Sequence, residues 1–543
     1  MKRWVDYLII MFVGLITHGL LLLNDGVYWD GWILYSKLVK KGSLSQWFIE
    51  AGRPFDFCFH WALGHFPDYI LGYRLIVFLS IMFIGVLIYE ICNRSKLVTR
   101  GEGLLIALIV LTYPVFNVGI EITIAPYLFF YMLFCLAVFF AFRAKETVGI
   151  VHCVWRLLSL FIFFVSFSLY SLLIFFFGFI LILIVYECRL KSFSLRQIIL
   201  FFPRHIDYLI LPFIFWFWNQ RVFLLSEFYK QRSDKLFQFA WAPMKNCFIG
   251  FLKYAVCDQW AESAGKLFLF PLCILLIFLF AWWIFNTFKI TIFSWFKSRV
   301  SPWHFIIAGI VMFIAGVFPY LVVGAYPKMY SWDTRNALLL GLPVSLILVG
   351  LFRLIFFRRG ENLGRLGFVI IVTLIAAFSL SNINTYLFRQ AAWIKVRSVI
   401  YNLSQKRCAK NISFFSVDQR VGIPPDEENY FYVWASIFAK SWGDESHIGF
   451  PGRFSPLVVN TIGNYYIFIE RGYNFNDAAL DPKGAQVILV ISPGPEAKDS
   501  LTMAMRYFKC RFFRPENMGD YLASVTLLHM EIAPREGPRV DGI

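Results

Sequence analysis

Apolar runs of about 20 residues recur from the N-terminus to about residue 386, and each is long enough to cross a hydrocarbon core of roughly 30 Å. They predict helices near residues 5–23, 69–91, 103–115, 122–142, 154–168, 170–187, 206–222, 266–287, 304–323, 336–356 and 366–386, about eleven spans in all. The run from Trp155 to Tyr186 is too long for one ordinary span and short for two, which predicts a tight helical hairpin around Ser168 to Ser171. The first segment, MKRWVDYLIIMFVGLITHGLLLL, lacks a small-residue cleavage site before the polar NDG and reads as a retained helix. Two long connections, 24–68 and 223–265, carry segments rich in Trp, Phe and Lys, such as WILYSKLVKKGSLSQWFIE. These are expected to lie in the membrane interface with their rings at headgroup depth, or else to pack over the bundle.

Beyond Gln390 the pattern changes, because charged residues, Gly and Pro return to the frequency of soluble proteins. The chain therefore reads as a membrane domain, 1–389, followed by a soluble domain, 390–543. Within the latter, WIKVRSVIYNLSQKR has helical periodicity, FFSVDQR reads as a strand, and Tyr430 to Ser441 as a helix. AQVILVISPG reads as a buried strand ending in a Pro-Gly turn. The expected fold class is an all-α polytopic membrane bundle with a small C-terminal α/β or α+β domain.

Composition supports the membrane reading, with 59% hydrophobic, 20% aromatic and 16% charged residues against about 25% charged in soluble chains. The net charge of +17 does not call for nucleic acid. Lys and Arg concentrate in every second connection: Lys2 and Arg3; Arg94, Lys96 and Arg100; Arg143 and Lys145; Arg189, Lys191 and Arg196; Lys289, Lys297 and Arg299; Arg358, Arg359 and Arg365. By the positive-inside rule the N-terminus is cytoplasmic, and an odd number of spans places the tail outside. Of the ten cysteines, Cys247 with Cys257 and Cys408 with Cys510 would be disulfide candidates in an oxidising compartment, while Cys58 has no evident partner.

In a chain with so few acids, carboxylates at the membrane boundary stand out. Asp25 and Asp30 follow the first helix in NDGVYWDGW, and AGRPFDFCFHWALGH adds Arg53, Asp56, His60 and His65. Glu121 sits in the short connection YPVFNVGIEITIAPY, and GAYPKMYSWDTRN supplies Lys328, Asp333 and Arg335. Charged groups at this depth cost several kcal/mol unless paired or hydrated, so they tend to face a polar cavity. Acids on one wall and cations on another suit glycosyl transfer. A carboxylate takes the proton of the attacking hydroxyl while a cation stabilises the departing phosphate. The structural alternative pairs Asp333 with Arg335 and leaves Asp25 and Asp30 to cap or hydrate a helix end. The His residues form no spaced ligand cluster, so no metal site follows, although the acids leave a role for a divalent cation open. The tail holds no phosphate loop, nucleophile elbow or zinc spacing.

This arrangement resembles the membrane-embedded GT-C glycosyltransferases, which use polyprenyl-phosphate-linked sugars and keep an essential acid directly after the first helix. More narrowly, YWDGWILYSKLVKKGSLSQWFIEAGRPF is similar to the aspartate-then-GRP pattern of bacterial glucosyltransferases that modify O-antigen. The resemblance implies a bacterial inner-membrane enzyme whose partners are a polyprenyl-phosphate-linked sugar, a glycan or lipid acceptor and the bilayer, with no nucleic acid. It implies Asp30 or Asp25 as base and Glu121 as a second acid; Gly52, Arg53 and Pro54 match the GRP. Arg335, with Lys328 or Arg53, would hold the phosphate. The likeness covers about 120 N-terminal residues and departs in one respect: those glucosyltransferases show adjacent aspartates where this chain has Asp30-Gly31. Three other readings remain: a transporter or flippase of lipid-linked glycans, which should show midplane charges, broken helices and inverted repeats; a glycan polymerase; and a non-catalytic envelope-assembly protein.

Overall fold

A computed structural model describes residues 3–39, 48–49, 52–191, 195–222, 241–259, 300–328, 331–357, 361–406, 414–421, 431–443, 447–451 and 487–532. The protein is mostly helical with one small sheet. It divides into two compact units: Met1–Leu23, Ser43–Ile120 and Ile124–Asn384 form the first, and Asn24–Gly42, Glu121–Thr123 and Thr385–Ile543 the second.

Among the described residues, six helices are long and apolar enough to cross a membrane: Tyr69–Ser95, Ala125–Glu146, Gly149–Ser166, Pro302–Val322, Trp332–Phe356 and Leu363–Ser404. Each overlaps a predicted span. Other helices occupy further predicted positions, at Arg3–His18, Arg100–Thr112, Ser171–Lys191 and Ile206–Val222, while the run at 266–287 lies outside the described residues. One helix ends at Ser166 and the next begins at Ser171, where the sequence predicts a hairpin. Phe163 and Phe167 close it against Phe176, with ring centroids 4.9 and 5.4 Å apart.

Lipid offers helices little hydrophobic reason to associate, so close packing and buried hydrogen bonds must do it. Glycines let Pro302–Val322 meet Gly341–Phe352 backbone to backbone. A Cβ on Gly309 would lie 2.8 Å from the Pro343 carbonyl oxygen, and one on Gly350 3.0 Å from that of Pro302. Buried amides add polar links: Asn382 Nδ2 donates to the Thr112 carbonyl at 2.6 Å, and Asn117 Nδ2 to Asn382 Oδ1 at 3.2 Å. At the end carrying the basic loops, ions clamp helix termini. Thr99 and Glu102 form a capping box on Arg100–Thr112, Glu102 pairs with the buried Arg353 at 3.1 Å, and Asp6 meets Arg100 and Tyr89.

The second unit contains the sheet. Its strands are β1 (Phe414–Gln419), β2 (Ile448–Pro451), β3 (Val487–Pro493) and β4 (Thr526–Ile532), in the order β2-β1-β3-β4. β1 runs parallel to β2 and β3, and β4 is antiparallel to β3. Parallel neighbours need a crossover, and Phe431–Trp442 provides it between β1 and β2. Its Phe438 ring packs 4.8 Å from Phe415. A second layer, Ser500–Phe513 and Met518–Val525, joins the end of the long helix through Ala391, Ile394, Met503, Tyr507 and Val525.

Trp32, Ile33 and Leu34 are 2%, 5% and 0% exposed, and Gly31–Val39 packs on Phe431–Trp442 inside the second unit. The single helix Glu361–Ser404 runs through the predicted boundary and contributes its residues from Thr385 onward to the second unit. One expectation needs correction. Cys247 and Cys257 are free thiols. Ten residues of helical backbone hold them about 15 Å apart, too far for a disulfide. Cys510 is also free, and Cys408 lies outside the described residues.

Candidate functional site

The three acids expected to be catalytic, Asp25, Asp30 and Glu121, belong to the second unit. Asp30 lies in the turn that starts Gly31–Val39, where its carbonyl accepts from Ile33 N at 3.1 Å. The preceding Trp29 has φ 40°, a left-handed conformation rare for a bulky residue. Such strain persists only where surrounding contacts enforce it. Asp30 Oδ1 accepts from the Tyr432 hydroxyl at 2.7 Å. The next residue, Gly31, has no room for a side chain. A Cβ on Gly31 would lie 2.7 Å from Glu121 Oε1 and 3.2 Å from Oε2, so the fully buried Glu121 carboxylate fills the space a side chain there would need. Thr123 holds Glu121 Oε1 through its amide at 3.1 Å and its hydroxyl at 3.0 Å.

Asp25 is bound differently. Its Oδ2 accepts from Arg397 Nη1 at 3.1 Å and from the Tyr507 hydroxyl, and lies 3.5 Å from Arg511 Nη1. Gln390 Nε2 reaches Oδ1 at 3.4 Å. Burial and the Asp25 carboxylate push the Tyr507 phenol up, so it stays a donor at neutral pH. Beside this group the Lys440 ammonium lies 5.9, 5.0 and 5.7 Å from the ring centres of Trp32, Tyr35 and Trp393. Desolvation among these rings lowers its pKa, and nearby Arg397 adds to the effect.

Arg53, Lys328, Asp333 and Arg335 belong to the first unit. Gly52, with φ 68°, makes the turn before Pro54–Leu63, a conformation that a residue without a Cβ adopts readily. Arg53 follows at the N-cap. Its Nη1 donates to the Tyr127 hydroxyl at 3.0 Å and lies 3.8 Å from Asp56 Oδ2. The Tyr170 hydroxyl donates to the Gly52 carbonyl at 3.1 Å and accepts from Asn219 Nδ2. Asp56 is 3% exposed, and burial pushes its carboxyl up to about 6 against the opposing pull of Arg53. Lys328 is exposed, with its ammonium 5.9 Å from the Tyr326 ring, and Asp333 lies in the first turn of Trp332–Leu340. His60 is a core residue: burial takes it down to about 3, its Nδ1 is 2.7 Å from the Tyr73 hydroxyl and its ring stacks on Phe48.

Sequence reasoning missed Tyr432, Arg397, Tyr507 and Lys440 around the acids, and Tyr127, Tyr170 and Asn219 around Arg53. Each joins its partner from a distant segment, so no local pattern marks it. No family model, curated protein or solved structure matches the chain.

Proposed function

We propose that the chain is a membrane glycosyltransferase that moves one sugar, with inversion, from a polyprenyl-phosphate carrier to a cell-envelope glycan or lipid on the outer face of a bacterial inner membrane. In this reading the N-terminus is cytoplasmic, about eleven helices cross the bilayer, and the second unit lies outside. The meeting of Glu121 with the Asp30-Gly31 turn carries the proposal. It brings Glu121 against the residue that follows Asp30, which supports a shared role for these two acids.

Asp30 is the base. It takes the proton from the acceptor hydroxyl as that oxygen attacks the anomeric carbon from the face opposite the phosphate. The bond from anomeric carbon to phosphate oxygen breaks, and polyprenyl phosphate leaves with the electron pair. Glu121 orients the acceptor. Arg335, with Lys328 or Arg53, neutralises the phosphate. Asp25 holds Arg397, Arg511 and Tyr507: with two guanidiniums and a phenol around Oδ2, that oxygen's lone pairs are committed.

General-base catalysis contributes roughly 10²–10⁴-fold, so Asp30→Asn should lower transfer by about that factor in membranes given a radiolabelled polyprenyl-phosphate sugar. Asp25→Asn should lower it less. An Asp30→Asn protein that folds and transfers at the unaltered rate would remove Asp30 from the reaction.

A further inference from the structure

A cavity lies in the first unit among the basic connections. It measures about 410 Å³ and is lined by Lys145, His152, Arg156, Glu187, Arg204 and His205, among others. Four segments build it. Lys145 stands in the last turn of Ala125–Glu146, His152 and Arg156 begin the next helix, and Glu187 comes from Ser171–Lys191. Arg204 and His205 stand where Leu195–Arg204 gives way to Ile206–Val222, just after Pro203, which has no amide hydrogen for the helical ladder.

The acids of this region are already engaged. Glu187 Oε1 accepts from Lys145 Nζ and from His205 Nε2, the latter at 2.8 Å. Asp207 is held by Arg156 through Nε at 2.6 Å and Nη2 at 2.7 Å. His152 Nδ1 lies 2.7 Å from the Ala144 carbonyl oxygen. Two groups on the cavity wall are not engaged. The exposed Arg204 guanidinium has no ion pair or hydrogen bond among the described residues; only its carbonyl is used, by Arg156 at 2.6 Å. His205 is 5% exposed, yet its Nδ1 has no hydrogen-bond partner. A carboxylate only accepts, so the imidazole donates from Nε2 to Glu187. That leaves Nδ1 as a buried ring nitrogen without a hydrogen-bond partner among the described residues. Beside an unpaired guanidinium, it suits a phosphate group, whose oxygens accept from Arg204 and whose hydroxyl can donate to Nδ1.

We propose that this cavity binds a phosphate monoester or inorganic phosphate, with the Arg204 guanidinium as the donor and His205 Nδ1 as its buried polar neighbour. The site stands apart from the transferase reading. A membrane-lipid headgroup and free phosphate share the chemistry, and binding to purified full-length protein in dodecyl maltoside separates them. The probes are dihexanoyl phosphatidic acid, dihexanoyl phosphatidylcholine and inorganic phosphate, titrated calorimetrically. Binding of phosphatidic acid alone, weakened at least tenfold by Arg204→Gln, identifies a headgroup site. Inorganic phosphate binding with the same loss identifies a free-anion site. The variant keeps the carbonyl that Arg156 uses, and an unchanged melting temperature verifies its fold. Failure of both anions to bind, equal binding of phosphatidylcholine, or unaltered affinity in Arg204→Gln overturns the proposal.

Discussion

At the scale of single residues, the two regions treat carboxylates in opposite ways. Asp25 is surrounded by donors, whereas Asp56 is buried with one oxygen 3.8 Å from Arg53 and the other, Oδ1, without a hydrogen-bond partner. Burial without full compensation favours the neutral acid. The folded value of about 6 exceeds the ordinary 3.8, so between these limits the folded state holds more protons than the unfolded chain. Stability is greatest below about pH 4, falls as pH rises to about 6, and is constant above; the loss is on the order of 3 kcal/mol. Melting temperatures of detergent-solubilised protein from pH 4 to 7 should show this decline, and Asp56→Asn should flatten it. A slope that survives the substitution would rule Asp56 out as its source.

At the scale of elements, long apolar runs and short β-rich ones were legible because each carries its own periodicity. β1, β3 and the crossover helix stand within two residues of their predicted positions. The helix Glu361–Ser404 was harder to read. Ser381, Asn382 and Asn384 interrupt its apolar run, which suggests two helices, but polar residues lower hydropathy without breaking the backbone ladder, and no Pro intervenes. Helix ends were readable where chemistry marks them, as at Thr99 and Glu102. Glu102 also holds Arg353, which is 7% exposed. Removing one partner of a buried pair costs about 3–5 kcal/mol. Glu102→Gln should therefore lower the melting temperature markedly, and adding Arg353→Met should recover most of the loss. If the double variant melts no higher than the single one, the pair does not act as a unit.

For the molecule as a whole, the sequence carried the candidate acids but not their company. That residues 24–42 and 121–123 group with the tail depends on contacts such as Tyr432 to Asp30, 402 residues apart, which leave no trace in local composition. Loop charge does predict sidedness. An alkaline phosphatase reporter inserted in the Arg94–Arg100 loop should be inactive and one fused after Ile532 active. An inactive C-terminal fusion would make the number of crossings even and would separate the tail from the outer face.

The crowding at Gly31 makes two loops answer to one another. A Cβ there would meet both carboxylate oxygens of Glu121 and the side chain of Ile122, so even one added methyl group in the first loop can be accommodated only if the connection that follows Ile120 gives way. A change at either place is thereby registered at the other.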